Sequence, residues 1–162
     1  MSETIKVGMA DLKVCRFPDM LPTLGLGSCV GGSFRDPVAK VGGMIHVMLP
    51  DSTAIRGTGN NPAKFADTGM KEIIRQMEQM GANVRRMEAK MAGGATMFQY
   101  QTKSELTKIG ERNAEACREI LKSMGIPLLA EDVGKNYGRT IVYETETGKL
   151  LVRAVGKQEF WI

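Results

Sequence analysis

Apolar and polar positions alternate through the N-terminal third of the chain, and this pattern predicts strands. Residues 5–16 show the alternation over one or two strands, and residues 17–22 follow as a predicted loop. Residues 28–34 and 41–49 are largely apolar and flank Asp36-Pro37, a dipeptide that favours a turn. We therefore predict a β-hairpin from these two segments.

The rest of the chain mixes two helical patterns with short apolar runs. Apolar side chains recur at helical spacing over 66–80 and again over 114–124, and the glycines at 81 and 125 are typical helix stops. Residues 50–62 are polar and rich in turn formers, which predicts a loop. Four further segments are predicted strands: 84–91, 128–132, 140–144 and 149–155.

Strands at both ends of the chain and two main helices indicate an α/β (α+β) sandwich, with a mixed or antiparallel β-rich core covered by helices. A length of 162 residues fits one domain spanning 1–162. No apolar run approaches the roughly 20 residues that span a bilayer. The N-terminus lacks the basic and apolar regions of a signal peptide. We therefore expect a cytoplasmic protein without membrane insertion.

The chain carries a formal net charge of +4, and its basic residues are spread out rather than clustered among aromatics. This distribution argues against a nucleic-acid-binding surface and favours an ordinary solvated surface. A mildly basic surface can also steer an acidic protein partner towards the chain.

The candidate chemistry centres on Cys29, which ends the run TLGLGSC at residues 23–29. Glycines allow a sharp turn there, so the sulfur could be presented with little steric cover. The chain has one histidine, His46, so only one Cys–His base pair is possible. The alternative interpretation is that Cys29 is a small buried core residue and that His46 is a core histidine whose hydrogen bonds are satisfied.

The predicted hairpin supports a catalytic pair. Cys29 would begin its first strand and His46 would lie on the second, and in antiparallel pairs the start of one strand lies beside the end of the other. Pairing with the imidazole would lower the thiol pKa. Cys15 and Cys117 lie in strand-like and helical patterns and are predicted to be structural. One histidine and three scattered cysteines do not make a zinc site, so we expect no metal and no cofactor.

Other short motifs are weaker evidence for a functional site. Gly93-Gly94-Ala95 follows a predicted strand but lacks the spacing of a phosphate-binding loop, which favours a structural turn. Glu131-Asp132 are neighbours on a predicted strand and face opposite ways, which argues against an acid–base dyad. Arg112-Asn113 could cap or position the segment before the second helix.

Several blocks of sequence carry a family resemblance, in order along the chain: TLGLGSCV, FRDPVAKVGGMIHVMLPD, KFADT, AKMAGGA, GERN and AEDVG. Together they closely resemble the chemoreceptor glutamine deamidases of the CheD family, from about Val7 to Val155. The segment from Ser52 to Pro62 is the least family-like part of the core.

The resemblance implies a function and a site. The catalytic group of the family matches Cys29, His46 and Thr23, and the backbone around Gly27 and Ser28 would support the oxyanion. The fold is expected to be similar to the catalytic domains of glutamine-deamidating bacterial toxins. The implied activity is hydrolysis of chemoreceptor glutamine amides in chemotaxis, through a cysteine thioester.

Two alternatives stay open from sequence. The resemblance also implies binding to CheC, a response-regulator phosphatase, so the protein could act mainly as an adaptor. A Cys–His pair could equally hydrolyse methyl esters of receptor glutamates.

Overall fold

Two β-sheets and a pair of helices form three layers in a computed structural model that describes residues 2–53, 61–97 and 108–162. The larger sheet contains five strands in the order β1 (Leu12–Arg16), β4 (Val41–Val47), β3 (Val30–Asp36), β5 (Glu88–Gly93) and β6 (Leu128–Val133). The smaller sheet contains four strands in the order β2 (Met20–Leu26), β7 (Arg139–Glu144), β8 (Lys149–Arg153) and β9 (Phe160–Trp161). Every strand pair is antiparallel except β5–β6, which is parallel. The predicted α+β sandwich is confirmed.

Helices α1 (Ala66–Gln79) and α2 (Ile109–Met124) cover the outer face of the larger sheet. Both present an apolar stripe to the sheet, as amphipathic surface helices do. α2 ends at Gly125, whose φ of 71° is the left-handed conformation that closes many helices. The two predicted helices and their glycine stops are confirmed.

The hairpin of β3 and β4 lies at the centre of the larger sheet and is held at its turn by Asp36. The buried Asp36 carboxylate accepts hydrogen bonds from the backbone N–H groups of Val38, Ala39 and Asn83, and pairs with Arg86. These contacts fix the turn between β3 and β4, and therefore the register in which the two strands pair.

Side chains along β4 alternate between two environments. Ile45 and Val47 belong to the apolar cluster under the helices, whereas Met44 belongs to the cluster between the two sheets. His46 faces the same way as Met44, so it lies in the layer between the sheets.

Two sequence expectations are wrong, and one short strand was not predicted. Residues 20–22 do not belong to a loop but begin β2, an irregular strand whose regular partner is β7. The strand predicted over 84–91 begins only at Glu88, after a single 3₁₀ turn over Val84–Arg86. β9 was not expected, because residues 160–161 form only a two-residue strand.

The predicted loop over 50–62 lies partly outside the described residues. Within the parts of the chain that are described, no helix is long and apolar enough to cross a membrane.

Candidate functional site

The central hairpin brings Cys29 next to His46. Cys29 directly precedes β3, and along the hairpin Val30 pairs with Val47 while Gly31 pairs with His46. Both side chains lie between the sheets.

The smaller sheet approaches this point very closely. A Cβ at Gly31 would lie 2.6 Å from Ile141 Cδ1 and 3.4 Å from Thr23 Cγ2. Gly31 is therefore required for close contact between the two sheets. That contact places Thr23, on β2, against His46, on β4.

Thr23 determines which ring nitrogen of His46 carries the proton. Its Oγ1 donates to the Val7 carbonyl oxygen at 2.7 Å and lies 2.8 Å from His46 Nδ1. A hydroxyl has one proton, and a carbonyl oxygen cannot donate. The Thr23 oxygen must therefore accept a hydrogen bond from His46 Nδ1–H. The neutral imidazole then carries a lone pair on Nε2, which is the arrangement a general base needs.

His46 Nε2 is buried and has no hydrogen-bond partner among the described residues. Cys29 is 8% exposed as a residue, and its thiol is not hydrogen-bonded to Nε2 in this structure. Burial raises the pKa of the Cys29 thiol and lowers the pKa of His46. The structure favours the alternative of a covered sulfur, and burial acts against the lowered thiol pKa expected from pairing with the imidazole. Burial thus disfavours the charged forms of both groups.

The segment before β3 is held through three successive carbonyl groups. Gly27 O accepts from the Ala95 N–H at 2.9 Å, and Cys29 O accepts from the Gly94 N–H at 2.8 Å. Ser28 O, between them, accepts from Asn113 Nδ2 at 2.9 Å. We call residues 27–29 the nucleophile turn, after the role that is proposed for Cys29 below.

The N–H groups of this turn differ in what they contact. The Gly27 N–H donates to Gly25 O at 3.1 Å. The N–H groups of Ser28 and Cys29 have no acceptor within the described parts of the chain. In a trans peptide the N–H points opposite to the preceding carbonyl, so these two face away from Ala95 and Asn113. Neither N–H group is therefore used by the fold within the described residues.

Gly93 and Gly94 serve the nucleophile turn rather than a phosphate. A Cβ at Gly93, whose φ is 114°, would collide with the Cys29 carbonyl oxygen. The N–H groups of Gly94 and Ala95 are already used by the turn. The prediction of a structural turn is confirmed.

Sequence reasoning left Asn113 undecided. Its side chain is fully buried, and its Nδ2 donates to Met48 O at 3.0 Å as well as to Ser28 O. It occupies a core position of α2, with Ala114 and Cys117 buried beside it. A polar residue at a buried helical position was the signal that could have found it.

The remaining candidates are structural. Glu131 pairs with Arg118, and Asp132 pairs with the buried Arg139, so they form no dyad. Burial raises the pKa values of the free thiols of Cys15 and Cys117 to about 12. No cluster of His, Cys, Asp and Glu able to hold a metal occurs within the described residues.

Comparison with known protein families matches residues 48–154 to the family model described as "CheD chemotactic sensory transduction". Cys29, His46 and Thr23 precede that range.

Full-length relatives extend the similarity across the site. The chain is 53% identical over 159 residues to the probable chemoreceptor glutamine deamidase CheD of Lachnoclostridium phytofermentans, covering 98% of both chains. It is 51% identical over 155 residues to the protein of the same name from Caldanaerobacter subterraneus subsp. tengcongensis, covering 96% of this chain and 95% of that one.

Among solved structures, the Neisseria meningitidis protein NMB0706, of family DUF152, has a similar fold. The TM-score is 0.53 at 10% identity, covering 82% of this chain and 64% of that one. This likeness concerns the fold alone.

Proposed function

Because the chain belongs to the CheD family, we propose that it deamidates selected glutamines of chemoreceptors, giving glutamate and ammonia. Relatives with about half of their residues identical carry that activity in their names. The observation that carries the chemistry is the Thr23–His46 contact of 2.8 Å, because it leaves Nε2 as a base beside a cysteine.

In the first step, His46 Nε2 takes the proton of the Cys29 thiol as the sulfur attacks the carboxamide carbon. Burial disfavours the charged forms of both groups, so we propose that the proton moves during the attack rather than in a preformed ion pair. Catalytic hydrogen bonds are often long without substrate. We propose that a bound glutamine brings sulfur and Nε2 into contact.

The attack forms a C–S bond and moves an electron pair onto the amide oxygen. The N–H groups of Ser28 and Cys29 would stabilise this oxyanion, with Gly27 fixing the turn through its carbonyl. A single donor of this kind can lower the barrier by about 2.7–4 kcal/mol. As the intermediate collapses, the imidazolium protonates the departing nitrogen, ammonia leaves and a thioester remains. His46 then takes a proton from water and the resulting hydroxide attacks the thioester. The C–S bond breaks, the imidazolium returns its proton to the sulfur, and glutamate, free thiol and neutral imidazole result.

We propose a single cytoplasmic deamidase domain over residues 1–162 that uses no cofactor.

The deciding experiment incubates the protein with a receptor cytoplasmic fragment and maps modified residues by mass spectrometry. We expect conversion of glutamine to glutamate by wild type and none by Cys29→Ala, with Cys15→Ser as the matched cysteine control. Loss of methyl groups from glutamate esters without glutamine conversion would instead identify an esterase.

The adaptor hypothesis is tested by CheC binding. Cys29→Ala keeps the surface of the protein, so it would still bind CheC while lacking deamidation. If wild type bound CheC and converted no receptor glutamine, the enzymatic proposal would be wrong.

A further inference from the structure

We infer that Asn113 is a positioning residue that aims the Cys29 N–H at the oxyanion. The inference rests on the proposed acyl chemistry at Cys29, and it concerns a residue to which the proposed mechanism gives no role.

The first step concerns a single peptide group. Ser28 C=O and Cys29 N–H belong to the same planar unit, so fixing one fixes the other. Asn113 Nδ2 donates to Ser28 O at 2.9 Å. The Cys29 N–H therefore points away from α2, and it has no acceptor within the described ranges.

The second step concerns how firmly that contact is held. The other Nδ2 proton goes to Met48 O at 3.0 Å, just beyond the strand that carries His46. Turning the amide over would place Oδ1 against two carbonyl oxygens, which repel it. One orientation is therefore strongly preferred. Asn113 thus ties the nucleophile turn to the segment that follows the histidine.

The third step concerns the free-energy cost of burying the Asn113 amide. The amide is fully buried, and Oδ1 has no partner within the described residues. Leaving a buried polar atom unpaired is unfavourable, so a core that only needed filling would favour an apolar side chain here. The two donated hydrogen bonds give a reason for asparagine.

The test compares two reactions of Cys29 that differ in whether an oxyanion forms. Acylation by p-nitrophenyl acetate passes through one and is followed as a burst of p-nitrophenol. Alkylation by iodoacetamide is a displacement without one. Asn113→Ala should slow the burst on the order of a hundredfold, because a backbone donor is no longer aimed. Alkylation should stay within about threefold, because that displacement gains nothing from the donor.

The matched control is Ser33→Ala, which removes another buried hydrogen bond of β3, from Ser33 Oγ to Lys90 O at 3.0 Å, away from the turn. It should change neither rate. Circular dichroism confirms that each variant is folded, and Asn113→Leu, which fills the volume, replaces Asn113→Ala if the latter is not.

An unchanged burst in a folded Asn113 variant would overturn the inference. So would an equal loss of both reactions, because Asn113 would then act on the thiol and imidazole rather than on the oxyanion. A wild type that gives a Cys29-dependent burst but converts no receptor glutamine would contradict the proposed function and leave this inference in place.

Discussion

Replacing Thr23 with valine tests the central hydrogen bond of the site. Valine has nearly the shape of threonine but no hydroxyl, so His46 Nδ1–H and Val7 O both lose their partner in a buried place. Each unpaired buried group costs about 1–3 kcal/mol. Thr23→Val should therefore lower the free energy of unfolding by about 2–6 kcal/mol, with Tm falling about 2–4 °C for each kcal/mol.

The catalytic effect should exceed what unfolding explains. Without the Thr23 oxygen the imidazole can carry its proton on Nε2, and in that form it cannot accept the thiol proton. Loss of orientation adds to this, so kcat for receptor deamidation should fall on the order of a hundredfold. Thr23→Ser keeps the hydroxyl and should retain most of the rate, measured at a temperature where both variants are folded.

Nitrogen-15 NMR can observe the cause directly, because His46 is the only histidine of the chain. Its ring gives one unambiguous pattern, which should show the Nδ1–H form in wild type and a mixture in Thr23→Val. A wild-type proton on Nε2 would refute the assignment. So would a folded Thr23→Val protein that works at the wild-type rate.

Three further predictions concern the nucleophile, the base and the turn. Cys29→Ala should abolish deamidation measured as ammonia release, whereas Cys15→Ser should retain it in the folded fraction; appreciable release by Cys29→Ala would exclude the thioester route. Because burial lowers the pKa of His46 below its ordinary value of about 6.5, the neutral base persists at that pH, and kcat/KM should fall only on further acidification; an acid limb centred above 6.5 would contradict this. Gly93→Ala should displace the Cys29 carbonyl and reduce deamidation strongly, whereas Gly81→Ala, with a similar φ of 101° and open space around it, should cost stability alone; equal activities of the two variants would show that the contact is unimportant.

The hairpin and its two functional residues could be predicted from sequence because the determinants are local. Asp36-Pro37 indicated the turn, and the apolar runs on both sides indicated the strands. Antiparallel pairing then brings Cys29 beside His46 with no further information.

The position of Thr23 required information that is not local. Pro22 and the glycines after it favoured a loop, yet β2 is a strand whose regular partner, β7, lies more than a hundred residues later in the chain. A strand with one regular neighbour tolerates proline, since not every N–H is needed for pairing. The identity of Thr23 as a site residue came from family resemblance, whereas its hydrogen bonds came from the packing of the two sheets.

Sequence reasoning left open whether Cys29 is exposed or buried. A glycine-rich turn allows exposure, but here the carbonyls of the turn are bound by residues 94, 95 and 113. These partners are distant in sequence, so their effect on the sulfur could be seen only once the chain was folded.

The burial of the Cys29 sulfur affects how readily the thiol is oxidised when no substrate is bound. Hydrogen peroxide attacks thiolates rather than thiols, and sulfenic acid forms fastest at exposed, acidic cysteines. Cys29 is 8% exposed, and burial raises its pKa, so at neutral pH it is a protonated thiol with little access to oxidants. In the proposed mechanism the resting thiol is thereby less open to oxidative inactivation, and a bound glutamine brings it into contact with its base.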